Sequence, residues 1–165
     1  MNAPANPARV AKSPKPLFTI LWIGLVAGTL DITDNLIYNA LRAVTPKMVF
    51  QFIASGLIGM SSFRLGVASV ILGIVCHYTI AISWTAIFYL LCRRFQVLTR
   101  FAVLGGLLYG GAVYLFMNYV VVPLSRVPHI TRQISFLARV NAILSVVLFI
   151  GLTIALLVRH AAPRV

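Results

Sequence analysis

The sequence predicts an all-α polytopic membrane protein built as a bundle of four transmembrane helices, and three observations carry that reading. The chain is 61% hydrophobic with only 10% charged residues. Its mean hydropathy is +0.99. Four separate apolar stretches are each long enough to cross a bilayer's hydrocarbon core, which needs roughly 20 residues. Soluble globular domains do not combine these properties.

Residues 1–16 are rich in Pro and Ala, with three basic residues and no apolar periodicity, and read as a disordered basic tail. Leu17 to Val44 is the first span. It is too long for a secretory h-region and its second half is polar, so it reads as a retained helix. Met48 to Met60 is apolar but too short to span, and Pro46 supplies a helix-start signal. Gln51, Ser55, Gly59 and Ser62 form a small and polar stripe there, opposite Phe52, Ile53, Leu57 and Met60. That pattern predicts a short amphipathic helix, interfacial or re-entrant, between the first and second spans.

The remaining spans are Val67 to Cys92, Phe101 to Val122 and Leu137 to Val158, which gives a membrane domain over 17–158 and a C-terminal tail over 159–165. The short Phe95 to Arg100 linker predicts that the second and third spans are antiparallel neighbours. Pro123 to Phe136 is a longer loop. Cys76 and Cys92 lie about 24 Å apart on one helix at 1.5 Å per residue, too far for a disulfide between them.

Fourteen basic residues against two acidic ones give a net charge of +12. The basic residues are scattered over every loop and both tails, so nucleic acid is not the implied partner. Anionic lipid is the simpler one, at about 1 kcal/mol per Lys or Arg near the headgroups. Arg9, Lys12, Lys15, Arg93, Arg94, Arg100, Arg159 and Arg164 fall on one membrane side, against Arg42, Lys47, Arg64, Arg126, Arg132 and Arg139 on the other. Eight against six places both termini in the cytoplasm by the positive-inside rule.

Small residues mark helix-packing faces. Gly66, Ser69, Gly73 and Cys76 line one side of the second span, and Ala102, Gly106 and Gly110 do so in the third, with Gly106 and Gly110 forming a GxxxG pair. Such faces serve packing within the chain, or a seam with a second copy or another membrane subunit.

Asp31 and Asp34 are the only acidic residues, and both sit inside the first span. Placing a charged side chain at membrane depth costs about 2.5–3.5 kcal/mol on insertion scales, so such groups face a bundle interior, a cavity or a partner. Asp31, Asn35, Tyr38 and Arg42 share one face by helical spacing, with Asp34 beside it. Taking span midpoints as the membrane centre, His77 in the second span, Asn118 in the third, and Ser145 and Asn141 in the fourth lie about 4 to 10 Å from centre, all toward the same side. A half-open polar cavity follows, with Arg139 entering from that side too. Arg42 or Arg139 could pair with an aspartate and hold it ionised, whereas burial without a cation favours the neutral acid.

His77 completes a conceivable Asp, Asp, His metal set, or a proton relay, or simply a hydrogen bond across helices; the sequence leaves the metal question open. No cofactor is implied. Trp22, Trp84, Tyr89, Phe95, Tyr109 and Tyr119 read as packing or interface aromatics. The chain has no GxSxG, P-loop or HExxH motif and no Glu, so nothing supports enzymatic catalysis.

The runs GTLDITDNLIYNALR (Gly28 to Arg42), FQFIASGLIG (Phe50 to Gly59) and GLLYGGAVYLFMNYVVVPLS (Gly106 to Ser125) resemble recurring blocks of a family of bacterial four-span membrane proteins with no established activity. The chain is similar, more remotely, to the YagU-like inner-membrane proteins. The resemblance covers most of the chain beyond the tail. It implies a bacterial inner-membrane location and four helices, and no substrate.

Two functions fit these residues. One is a protonatable polar cavity that moves or senses protons or small cations, with Asp31 and Asp34 as carriers, His77 as relay and Arg42 or Arg139 as counter-charge. The other is an accessory protein whose polar cluster fixes helix packing while its surfaces bind subunits or anionic lipid.

Overall fold

The computed structural model describes residues 15–128 and 135–161, so most of the N-terminal tail, His129, Arg132 and the last four residues lie outside the description. Every described element is helical. Four helices are long and apolar enough to cross a membrane: Pro16–Ala40, Val67–Arg94, Ala102–Leu124 and Phe136–Ala161, called here the first to fourth spans. The chain is an all-α integral membrane protein.

The first span stops at Ala40 rather than at Val44 because the following residues are committed to a turn. Ala43 adopts a left-handed backbone with φ 58°, and the Val44 N–H donates back to the Asn39 carbonyl at 3.0 Å. Pro46 then holds its predecessor, Thr45, in an extended conformation. Arg42 consequently sits in the turn beyond the helix.

Pro46 opens the short helix Pro46–Ile58, and the Thr45 hydroxyl caps it by accepting from the Met48 N–H at 3.4 Å. A 3-10 turn, Gly59–Phe63, follows. The polar stripe faces inward: Gln51, Ser55 and Ser62 are buried, while Met48, Phe52, Leu57 and Met60 are exposed. Gln51 donates through Nε2 to the Ser69 hydroxyl at 3.2 Å. The helix crosses the first turns of the second span at Gly73, where a Cβ would overlap the Phe50 carbonyl group. Polar residues inside and apolar ones outside is the arrangement hydrocarbon requires.

The first span packs between the second and the fourth. The third packs on the fourth through Gly106 and Gly110, and a Cβ on Gly110 would lie 2.6 Å from Val147 Cα. The GxxxG pair is therefore engaged within the chain. The second and third spans adjoin through aromatic side chains: Tyr109 donates its hydroxyl proton to the Trp84 carbonyl at 2.6 Å, and its ring lies 4.7 Å from that of Phe88.

Two spans contain wide π-helical turns. Met117–Val121 directly precedes Pro123, which lacks the N–H that would continue the α-helical ladder. Val146–Leu152 lies where the fourth span crosses the glycines of the third. The tightest apolar core gathers toward the Lys15 and Arg93 end, from Ile23, Phe88, Ala102, Ile154 and Val158. The opposite half is polar.

Gly110→Ala should lower the unfolding free energy in a denaturing-detergent titration by about 1–3 kcal/mol, the usual cost of overpacking. Gly111→Ala, whose Cβ meets nothing within 4 Å, should be neutral or stabilise by up to about 1 kcal/mol.

Candidate functional site

Asp31 and Asp34 lie one helical turn apart on the side of the first span that meets the fourth. The fourth span answers with two residues at matching spacing. Ser145 donates its hydroxyl to Asp31 Oδ1 at 2.9 Å. Asn141 donates from its amide nitrogen to Asp34 Oδ2 at 3.2 Å. Antiparallel helices place residues i and i+3 of one beside j+4 and j of the other, so the two bonds form successive rungs between the spans.

The Ser145 rung is the deeper one. Ser145 itself is buried, and both carboxylates are half-buried. Val146–Leu152, the π-helical stretch, begins immediately after Ser145.

The other side of the first span meets the second. His77 bonds through Nε2 to the Gly28 carbonyl oxygen at 2.8 Å. A carbonyl only accepts, so Nε2 is the donor in this bond. Thr29 and Tyr78 share a hydroxyl–hydroxyl bond of 3.0 Å beside it, and the His77 and Tyr78 rings meet edge-on at 5.3 Å.

No protein family, curated protein or solved structure matches the chain.

The remaining polar residues of the first span turn elsewhere. Asn39 donates to the side chain and backbone oxygens of Asn35 at 2.9 and 2.8 Å, on an exposed face. Arg42 donates to the Ser135 hydroxyl at 3.1 Å and lies over the Tyr38 ring, 4.8 Å from its centroid. Arg139 is exposed. Among the described residues, the hydrogen bonds that reach the two carboxylates come from the neutral groups of Ser145 and Asn141. Asn118 is exposed on the third span and bonds back to its own Tyr114 carbonyl at 2.9 Å. The structure thus joins Asp31, Asp34, Asn141 and Ser145, sets His77 on the adjoining face, and leaves Asn35, Arg139 and Asn118 outside.

Among the described residues no three His, Cys, Asp or Glu side chains converge as metal ligands. Thr29 and Tyr78 join the polar line without having stood out in the sequence, where hydroxyl residues are common in every span. Ser145 was legible through its depth in the fourth span, which matches that of Asp31 in the first.

The two rungs can be measured separately. A double-mutant cycle on Asp31→Ala and Ser145→Ala should give a coupling of about 0.6 kcal/mol, within the range up to about 1.7 found for membrane hydrogen bonds. The cycle pairing Asp31→Ala with Asn118→Ala should give none.

Proposed function

We propose that Asp31 and Asp34 form a proton-binding pair within the membrane, through which the chain senses or moves protons. The observation that carries this reading is the chemistry of their partners. A serine hydroxyl both donates and accepts, and an asparagine amide offers a donor at one end and an acceptor at the other. Each carboxyl can therefore keep a hydrogen-bond partner whether ionised or neutral. An arginine partner offers donors only and would hold the ionised form.

The carboxylate pair lies toward the Arg42 end of the first span, while the other half of the bundle is packed with Ile23, Phe88, Ile154 and Val158. That asymmetry favours sensing, and transport across the membrane would require the packed half to part. His77, on the adjoining face, is the relay residue of the pair. A bacterial inner membrane is the proposed location, on the sequence resemblance.

A second reading has its own support. The matched spacing of Asp31 and Asp34 with Ser145 and Asn141 would fix the register of two helices even if no proton moved.

The two readings separate by infrared difference spectroscopy on protein in lipid vesicles, titrated with pH. Proton binding should give a carboxyl C=O band that rises as pH falls and is removed by Asp31→Asn and Asp34→Asn together. A titration in which no carboxyl band changes, in protein of unaltered helicity, would leave only the register role.

A further inference from the structure

The polar half of the bundle carries a second feature, a groove of about 350 Å3 between the end of the first span and the start of the fourth. Leu137, Val140 and Leu144 form its floor. Their i, i+3, i+7 spacing puts them on one stripe of the fourth span, about 10 Å long. Arg42 and Tyr38 line the same groove from the first span.

Two polar groups there are underused. One guanidinium nitrogen of Arg42 donates to Ser135, but a guanidinium has five N–H donors. The Tyr38 hydroxyl is buried and has no hydrogen-bond partner among the described residues, which is costly for a group that usually finds one. The stacking of Arg42 on the Tyr38 ring brings both to one end of the groove.

We propose that this groove seats one anionic phospholipid, with its phosphate on the free N–H donors of Arg42 and an acyl chain along Leu137, Val140 and Leu144. Three observations select that occupant. Among the described residues the lining holds one cation and no carboxylate, which matches a single negative headgroup. Arg42 lies in the turn just past the first span, at the end of the membrane-crossing helix where headgroups lie. A soluble anion would use Arg42 alone, whereas an acyl chain would also fill the groove along Leu137, Val140 and Leu144. The site adjoins the carboxylate pair only through Asn141, and lipid binding does not depend on proton exchange there.

The test is native mass spectrometry of the full chain released from nanodiscs of phosphatidylglycerol and phosphatidylcholine in equal amounts. Wild type should retain one phosphatidylglycerol in preference to phosphatidylcholine. Arg42→Gln should reduce that retention about fivefold, the value of one basic residue at a headgroup, and Val140→Trp, which fills the groove without touching charge, should reduce it as well. Arg100→Gln, at the opposite end of the bundle, should leave it unchanged. Equal retention of the two lipids would overturn the proposal. So would a loss with Arg100→Gln as large as with Arg42→Gln, or retention indifferent to Val140→Trp. Inorganic phosphate that displaces the lipid at millimolar concentration would show a simple anion site and likewise overturn it. If Arg42→Gln fails to fold, Val140→Trp decides between the same outcomes.

Discussion

Hydrocarbon offers no hydrogen bonds, and this one deficiency orders the whole molecule. Each polar group placed at membrane depth must find its partner inside the chain. The carboxylates reach across to Ser145 and Asn141, His77 reaches to the Gly28 carbonyl, and Gln51 reaches to Ser69. Leucine, isoleucine and phenylalanine take the outer surface instead. Helix packing follows from the same demand, because backbones must approach closely for short side chains to meet, and glycines at the crossings permit it.

The consequence is a bundle with two unlike halves. One is closed by interlocking apolar side chains; the other is held by hydrogen bonds and splays enough to leave a groove. The first span belongs to both, apolar through Ile23 and Ala27 and polar from Thr29 onward. It is also wedged between two neighbours, so that its polar residues meet the second span on one face and the fourth on another. A chain with only two carboxylates has concentrated both at this junction.

The fold was legible because its signals are strong and local. Four apolar stretches of sufficient length define the spans, and Pro46 marks the start of the short helix. Boundaries were less so: Leu41 to Val44 continue the apolar pattern of the first span, yet the left-handed Ala43 and the approach to Pro46 end the helix at Ala40. For the site, depth along each helix was readable from residue counting, but rotation about each axis was not. Asn118 lies on the same side of the membrane centre as the carboxylates, yet it faces outward. Arg42 is near them in sequence and turns to Ser135 and Tyr38, since its helix has already ended. The π-helical stretches left no pattern to read, because they arise from proline and from glycine crossings rather than from periodicity.

The stretch Val146–Leu152 ties two distant features together. Its outer end begins at Ser145, and its body rests on Gly106 and Gly110. A π turn accommodates one residue more than an α turn, so converting it would screw the outer part of the fourth span about 100° around its axis. Ser145 and Asn141 would swing off the aspartates together, as two teeth on one shaft. The glycine crossing that adjoins the wide turn thus bears on both carboxylates at once, because the two rungs sit on the same outer segment of the fourth span.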